Sequence, residues 1–430
     1  MNIAVIMDVI TILVSIIFIV RNFKNFTWSA RYIIYFLFVM FYIVPLFLDY
    51  FYMMPDYTRS SRYIGYLISQ KDLVTRIIYD LFLVYSQCII LKSGRRHNEN
   101  SLMISEQERN EHKGLLMFFL LLPIILAFIF PVNKGILVSF QWREIGLYPY
   151  SKYIAILEKL SYIGICCGVM LIISKRNNFF LKAIATIAVI SNMCIEGKRA
   201  IVFFAVVVVI IALIPGLNDP MISMHERRKR LIRLGIFASI AIVFMILISI
   251  SVKINDRGYL PEQTAYMYTT LRIDFLRDDR VRLAIYSLLH PEEIHILDYP
   301  GQTILPILSW AFPIDYILGS FGINFPSYTA YLSAGLEKTS LATSYNFMTP
   351  CMVAEMTSNL GFIGLLLFPF ICLIFARIAD NNLFPMNVLT IVVFVALQLF
   401  ATAYVMYLIE FVLLMFLFTK KRVTIGSYVL

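Results

Sequence analysis

The sequence predicts an all-α polytopic membrane protein with about eleven transmembrane helices and one large external loop. Hydrophobic residues make up 60% of its 430 residues, charged residues make up only 15%, and the mean hydropathy is +0.78. A water-soluble domain is nearer half apolar and a quarter charged, so this chain has too little polar surface to cover a soluble globule. Apolar stretches of about 18 to 20 residues, the length that crosses a bilayer as a helix, recur along it.

Helices are the predicted spanning elements because each span must satisfy its own backbone hydrogen bonds in lipid. The ten-residue alternating segments that are typical of a transmembrane barrel do not occur. The first span has no basic segment before it and no small-residue cleavage site, so we interpret it as a membrane helix and not as a cleaved signal peptide. The predicted spans are 3–20, 32–53, 73–91, 114–131, 155–174, 178–195, 200–216, 234–252, 358–376, 384–401 and 404–419.

Basic residues predict the orientation of these spans. Arg21, Lys24 and Arg31 follow the first span, and every second loop after it is also basic. Because cytosolic loops carry an excess of Lys and Arg, the N-terminus is predicted to be external and the C-terminus cytoplasmic. We therefore attribute the net charge of +10 to membrane topology and not to a nucleic-acid partner. The later basic loops carry Lys92, Arg95, Arg96, Arg109 and Lys113; Lys175, Arg176 and Lys182; Arg227, Arg228, Lys229, Arg230 and Arg233; and Lys420, Lys421 and Arg422.

The whole chain, 1–430, is predicted to form one integral membrane domain, with a large external loop at about 253–357. We expect short helices in this loop. The apolar stretch 304–323 is interrupted by prolines and carries Trp310 and Tyr316, which is typical of a re-entrant or interfacial segment. The six cysteines are single or adjacent, without metal-type spacing or a disulfide framework. No internal repeat of the kind found in many transporters is present.

A short external turn between two spans carries Gly197, Lys198 and Arg199. The two cations fall at the start of a predicted helix, where the helix dipole is positive. They repel that dipole unless an anion joins them, and a phosphate would also meet free helix N–H groups. Alternatively, Glu196 neutralises one of the two cations. The turn is our first candidate for binding an anionic substrate.

A charged run in the large loop extends from Arg272 to Arg282. Asp278 and Arg282 are spaced to pair on a helix, so we expect most of the run to be a solvated, self-paired face. Arg272 precedes the dense pairing and is the best single candidate for an anion or sugar contact. His290 and His295 are the histidines of the loop, and His290 is a candidate base. Tyr266, Tyr268 and Tyr286 are candidates for stacking on sugar rings, although interfacial tyrosines are common.

The loop leads into the predicted span at 358–376 through Tyr345 and Glu355. A carboxylate flanked by apolar residues has a raised pKa unless a cation pairs with it. Glu355 is therefore a candidate general base, or a partner of Lys198 or Arg199. Small and polar residues follow it: Asn359, Gly361 and Gly364. They permit close packing of a ligand against the helix start, or a glycine-rich contact between helices.

Other ionisable residues lie within predicted spans. Arg76 and Asp80 are four residues apart and are expected to neutralise each other. Further ionisable residues have no evident partner in the sequence and could line a water-filled path, which supports a transporter interpretation. They are Asp8, Glu158, Lys159 and Glu410.

This organisation resembles the Wzy-type O-antigen and capsular repeat-unit polymerases. The resemblance lies in Gly197-Lys198-Arg199 on a short external turn, in the large late loop, and in Glu355, Asn359, Gly361 and Gly364, which match Glu-x-x-x-Asn-x-Gly-x-x-Gly. The stretch 299–313 also looks like the Gly-to-Pro stretch of that family. The related O-antigen ligases carry a histidine beside an Asn in the late loop, whereas this chain has Tyr345 before Asn346, which favours a polymerase.

The resemblance implies that a growing polysaccharide moves from one undecaprenyl pyrophosphate carrier to another lipid-linked repeat unit, on the external face of a bacterial cytoplasmic membrane. It implies no metal or cofactor, and partners that include the lipid bilayer, a chain-length regulator and a flippase. Lys198, Arg199 and Arg272 would meet the pyrophosphate charge. Glu355 is the first choice of proton acceptor and His290 the second. Gly197, Tyr345, Asn359 and Gly361 complete the predicted substrate-binding set.

Three alternatives stay open at this point. A metal-dependent lipid-linked glycosyltransferase is expected to carry acidic ligands in its first external loop, and the segment 55–72 has only Asp56 and Asp72, far apart. A lipid-oligosaccharide flippase is expected to have short loops and a twofold repeat. An O-antigen ligase-like glycosyltransferase would transfer the chain to a different acceptor.

Overall fold

The computed structural model describes the parts of the chain that follow. They are residues 3–24, 30–55, 64–92, 113–138, 152–173, 177–196, 225–226, 229, 232, 236, 268, 272, 276–293, 351–381, 424–425 and 428–429. Most of these residues are helical, and a two-residue antiparallel pair of strands lies near the C-terminus, β1 (Thr424–Ile425) and β2 (Tyr428–Val429). The predicted helical class is confirmed. The predicted span count and the extent of the external loop fall partly outside the described residues.

The helices are named in chain order. They are α1 (Ile3–Lys24), α2 (Ala30–Phe38), α3 (Val44–Phe51), α4 (Ile64–Lys71), α5 (Leu73–Lys92), α6 (Lys113–Ile129), α7 (Lys152–Ile173), α8 (Phe179–Glu196), α9 (Asp278–Leu289), α10 (Met352–Leu360) and α11 (Phe362–Asn381). The chain divides into two compact units, of which the first comprises Met1–His97, Gln263–Asp380 and Val395–Phe411, and the second Asn98–Glu262, Asn381–Phe394 and Val412–Leu430.

Four helical segments among the described residues are long and apolar enough to cross a membrane: Ile3–Arg21, Ile34–Phe51, Leu73–Leu91 and Phe179–Glu196. They coincide with the spans predicted at 3–20, 32–53, 73–91 and 178–195. Shorter apolar helices, Lys113–Ile129 and Phe362–Arg377, correspond to the spans at 114–131 and 358–376, and α7 covers the span at 155–174. The spans at 200–216, 234–252, 384–401 and 404–419 lie outside the described residues, apart from Ile236.

The second segment, Ile34–Phe51, is continuous although it contains a proline. A five-residue π-helical turn, Val39–Ile43, joins α2 to α3, and Pro45 follows within the first turn of α3. Proline is tolerated there because the first helical N–H groups have no partner within the helix. The π-helical turn leaves the carbonyl of Phe41 accepting from the N–H of Arg277 at 3.3 Å. The irregular turn therefore attaches the loop segment before α9 to this helix.

An aromatic cluster forms the core of the first unit. Phe38, Tyr42, Phe82 and Phe368 pack with ring centroids 5.3 to 6.3 Å apart, in tilted and edge-to-face arrangements that aromatic pairs prefer. The hydroxyl of Tyr79 donates to the carbonyl of Tyr42 at 2.9 Å. These contacts join α2, α5 and α11 and give α9 a rigid support.

Close backbone approach defines the second unit, in which α6, α7 and α8 pack together. A Cβ at Gly168 would lie 2.2 Å from the Cγ2 of Val189 and 2.9 Å from a methyl group of Leu120. The side-chain amide of Asn192 donates to the carbonyls of Leu120 and Ala188, both at 2.9 Å. Small residues and amide hydrogen bonds of this kind are typical of helix contacts in membranes.

The predicted span at 358–376 does not begin as one helix. Gly361 ends α10 with a positive φ of 62°, a conformation that favours glycine, and α11 begins at Phe362. A Cβ at Gly364 would lie 2.2 Å from the carbonyl oxygen of Met356. The glycines therefore serve a close contact between α10 and α11, which was the second of the two interpretations offered by the sequence. Glu355 lies on the short helix α10, which directly precedes the apolar helix α11.

Candidate functional site

A buried cluster of charged residues surrounds the beginning of α9. We call it the α9 cluster: Asp49, Arg272, Arg277, Asp278, Asp279, Arg280 and Arg282. Its six members from the large loop are each at most 3% exposed, so the expectation of a solvated face is wrong. The reason is tertiary packing, because α4, α5 and α10 all pack against α9. The residue spacing predicted a helix here, but it could not predict which other helices pack against it.

Arg272 is engaged by two carboxylates of the same chain. Its Nη1 and Nη2 donate to the two oxygens of Asp278 at 2.6 and 2.9 Å, and its Nη2 also donates to Asp49 at 3.2 Å. Two parallel hydrogen bonds between a guanidinium and a carboxylate are a strong and geometrically specific arrangement. The predicted anion-binding arginine therefore fastens the loop to α3 and to the first turn of α9.

Arg282 connects α9 to α4 and α5. Its guanidinium hydrogen-bonds to the side-chain carbonyl of Gln70 and lies 4.7 Å from the ring centroid of Tyr79, within cation–π distance. Its Nη2 is 3.8 Å from Asp278, at the predicted i,i+4 spacing, so that pairing is confirmed in a buried setting. Burial alone would lower the pKa of Arg282, but Asp278 and other acidic groups outweigh it and the net shift is upward. The side chain stays charged.

The two aspartates at the start of α9 have opposite electrostatic environments. Burial favours a raised pKa for Asp278, but Arg272 and Arg282 outweigh burial and lower it. Burial also raises the pKa of Asp279, and the single contact from Arg280 does not reverse that shift. Both carboxylates lie in the first turn, where the helix dipole favours negative charge. Asp278 is the carboxylate that holds the cluster together in its ionised form.

Glu355 is buried in the first turn of α10, with 2% exposure. Asn359 donates to its backbone carbonyl at 2.8 Å. Cys351 precedes Glu355 by one turn, and its Sγ lies 3.9 Å from the carbonyl oxygen of Arg277. Burial raises the pKa of the Cys351 thiol to about 11, against the opposing charges of Arg277 and Arg280. Because residues four apart share a helix face, Glu355 lies on the same face as Cys351, which contacts the backbone of Arg277.

His290 ends α9 and is surrounded by acidic residues. Its Nε2 is 3.7 Å from Asp72 and its Nδ1 is 3.7 Å from Glu292. Tyr286 stacks on the His290 ring with centroids 4.4 Å apart and donates to Glu293 at 2.5 Å. Burial, the hydrogen bond to Glu293 and the charges of the nearby acids raise the pKa of Tyr286. This second candidate base lies at the opposite end of α9 from Arg277 and Cys351, so the structure does not bring it to the α9 cluster.

Three residues at this end of α9 could hold a metal ion. Ligand atoms of His290, Glu292 and Glu293 lie within 4.8 Å of one another, and Asp72 faces the other nitrogen of the imidazole. A carboxylate in that place is the usual partner of a metal-bound histidine. Sequence reasoning missed the group because Asp72 comes from the start of α5, where it caps Thr75 at 2.7 Å. The only sign of this possible metal site in the local sequence is the pair of glutamates, Glu292 and Glu293, that closely follows His290.

The structure also shows what the remaining candidates contact. Tyr268 packs on the ring of Tyr52 with centroids 4.8 Å apart, and burial raises its pKa to about 12. Tyr286 and Tyr268 thus both stack on side chains of this protein. Several predicted site residues lie outside the described residues: Gly197, Lys198, Arg199, Tyr266, His295 and Tyr345.

Arg76 of α5 has a different partner from the one that the sequence predicted. Arg76 does not neutralise Asp80 but forms an ion pair with Asp8 of α1, and Tyr50 of α3 donates to the same carboxylate at 2.5 Å. The predicted i,i+4 pair is therefore wrong. An isolated helix offers Arg76 only its own neighbours, whereas the bundle brings α1 alongside α5.

Comparison with known proteins adds no relative. No family model, curated protein or solved structure matches this chain.

Proposed function

We propose that this protein polymerises undecaprenyl-pyrophosphate-linked oligosaccharide repeat units into O-antigen or capsular polysaccharide, on the external face of the bacterial cytoplasmic membrane. The observation that carries the proposal is the packing of α9, with its buried arginines, on α10, which bears Glu355. Glu355 is the residue that the sequence singled out for proton transfer, and Arg272, whose partner Asp278 begins α9, is the residue of the charged run that it singled out for an anion or sugar contact. The contact between α9 and α10 supports one functional site in the loop.

The proposed reaction is a glycosyl transfer. A hydroxyl oxygen of the incoming lipid-linked repeat unit attacks the anomeric carbon of the polymer's first sugar. The bond from that carbon to the pyrophosphate oxygen breaks, and undecaprenyl pyrophosphate leaves with the electron pair. Glu355 accepts the hydroxyl proton, a role that typically contributes about 10² to 10⁴ in rate. Lys198 and Arg199 are the proposed contacts of the leaving pyrophosphate, because cations stabilise charge that develops on such a group.

Charge balance explains why the α9 cluster suits this step. The α9 cluster and the adjoining α10 together carry four arginines and four carboxylates among the described residues: Arg272, Arg277, Arg280 and Arg282, and Asp49, Asp278, Asp279 and Glu355. With all eight ionised the formal charge is zero. When Glu355 takes up the proton, the set gains one positive charge as the pyrophosphate gains negative charge. We assign Arg272 a positioning role in this set, since Asp278 and Asp49 already engage its guanidinium.

The test is reconstitution of the purified protein in liposomes with a defined lipid-linked repeat unit. We expect a ladder of lipid-linked polymers, formed equally well with a metal chelator present. Transfer of single repeats to a different acceptor lipid, without a ladder, would identify a ligase. Movement of intact repeat units across the bilayer without bond formation would identify a flippase. Either of the last two results contradicts the proposed polymerisation.

A second candidate function is metal-dependent glycosyl transfer, which one observation favours. Asp72, from the first predicted external loop, lies beside His290, whose ligand atom is close to those of Glu292 and Glu293. A divalent cation held there would neutralise a leaving pyrophosphate as a Lewis acid. The same liposomes distinguish the two candidates, because chelation and His290→Ala would then both abolish the ladder. A ladder that survives both treatments removes this candidate.

A further inference from the structure

Two buried carboxylates come together where α1, α3 and α5 meet within the predicted membrane spans. Asp8 is 3% exposed and Asp80 is completely buried. Asp8 is engaged by Arg76 and by the hydroxyl of Tyr50. The polymerisation proposed above involves neither carboxylate, so their role requires a separate explanation.

Asp80 has no hydrogen-bond donor in the part of the chain that the structure describes. Both of its carboxylate oxygens are fully buried and accept no hydrogen bond there. Asp80 follows Arg76 by one turn of α5, and Arg76 is bound to Asp8 of the adjoining α1, so the two carboxyl groups lie close together. An ionised carboxylate can only accept hydrogen bonds. Two carboxyl groups so placed therefore form a hydrogen bond with each other only when one of them carries a proton.

The charges around Asp80 lead to the same requirement. Besides Asp8 and Asp80 themselves, the charged and titratable groups that act on the pair are Tyr50 on α3, Arg76 on α5 and Arg282 on α9. Arg76 is bound to Asp8, and Arg282 is bound to Asp278, Gln70 and the Tyr79 ring. With both aspartates ionised, one negative charge in an apolar span is left without a bound cation, and such charges are costly in a membrane.

We infer that Asp8 and Asp80 form a binding site for one proton, shared between their carboxyl groups inside the membrane. The proton supplies the missing donor between the two groups and removes the unbalanced charge. Two carboxylates that share a site disfavour ionisation of both, so one of them ordinarily keeps a proton.

Infrared difference spectroscopy of the protein in liposomes tests this site, because a protonated carboxyl has a carbonyl stretch that shifts in heavy water. On raising the pH we expect loss of one such band in the wild type. The band should be absent from Asp80→Asn and from Asp8→Asn. Ser15→Ala is the matched control, since it removes a neutral hydrogen bond to Gln87 on the same α1–α5 interface and should retain the band.

Two results would overturn the inference. A wild-type band that persists unchanged in folded Asp80→Asn would place the proton elsewhere. A carboxylate band that responds to Na⁺ at constant pH, with no carbonyl band at any pH, would identify a sodium site. If Asp80→Asn does not yield folded protein, Asp80→Glu takes its place. That variant retains a carboxyl group and should shift the band in frequency, whereas an unshifted band would contradict the assignment.

Discussion

The α9 region of the first unit and the α6–α8 helices of the second unit hold their helices together by different means. Around α9 the polar contacts are ion pairs and charge-assisted hydrogen bonds, with Arg272 and Arg282 converging on Asp278. Between α6, α7 and α8 they are close contacts at Gly168 and amide hydrogen bonds from Asn192. Stability should therefore depend on charge in the first region and on shape in the second.

The largest effect is expected from Asp278→Asn. Breaking a buried ion pair by removing one partner typically costs about 3 to 5 kcal/mol, because the remaining charge stays in a low-dielectric setting. The variant leaves Arg272 with Asp49 as its ion-pair partner among the contacts described above, and it removes the acidic neighbour of Arg282. Thermal unfolding in mild detergent measures the change. A loss below about 1 kcal/mol would show that the α9 cluster is not held by charge.

The pH dependence of that loss sharpens the comparison. Arg272 and Arg282 outweigh burial and lower the pKa of Asp278. A carboxyl with a lowered folded-state pKa contributes stability that is complete above its unfolded pKa, about 3.9, and is lost as pH falls through the folded value. In an Asp49→Asn background, which removes the second carboxylate bound to Arg272, the difference between the chain with Asp278 and its Asp278→Asn variant should thus stay constant from pH 7 to about pH 5, and should shrink only below about pH 4. Shrinkage already at pH 6 would contradict the assignment.

Gly168→Ala tests shape in the second unit. The new methyl group would meet Val189 at 2.2 Å and Leu120 at 2.9 Å, and overpacking of this kind typically costs about 1 to 3 kcal/mol. Gly114→Ala in α6 is the matched control, since nothing lies within 4 Å of its Cβ, and it should be neutral or slightly stabilising. The same unfolding assay measures both, and equal effects would show that the α7–α8 contact tolerates the methyl group.

The smallest effect is expected from Asn192→Leu. The substitution removes the amide that donates to Leu120 and Ala188. Hydrogen bonds between membrane helices average about 0.6 kcal/mol and reach about 1.7, so the loss should fall in that interval. The loss of stability should also be independent of pH from 5 to 8, because the amide of Asn192 does not titrate. A loss above about 3 kcal/mol would place Asn192 among the dominant contacts of the molecule.

The sequence predicted what depends on local pattern and missed what depends on neighbours. Apolar length was enough to predict the helices at 3–20 and 73–91, and spacing was enough to pair Asp278 with Arg282. The burial of that pair depends on the packing of α4, α5 and α10 against α9, and residue spacing within α9 does not predict this packing. The partner of Arg76 was missed for the same reason, because Asp8 is distant in sequence and adjacent only in the bundle.

Gly361 and Gly364 show a second limit of prediction from the sequence. The sequence left open whether Gly361 and Gly364 accommodate a ligand or a helix contact, and both alternatives use the same small residues. The positive φ at Gly361 and the approach of Gly364 to the backbone of Met356 identify a helix contact. The structure was needed because a glycine in the sequence indicates a close approach to the backbone, but it does not identify the group that approaches.

The most direct test of the proposed polymerase is the length of product made by Glu355→Gln in liposomes. The change keeps size and hydrogen bonding but removes the proton acceptor, so we expect chains to stop near one repeat while lipid-linked monomer accumulates. The matched control is Glu158→Gln, the same change at a buried residue of α7, which should give the wild-type ladder. A wild-type ladder from Glu355→Gln would contradict the role of Glu355 and leave the contact between α9 and α10 as structural support alone.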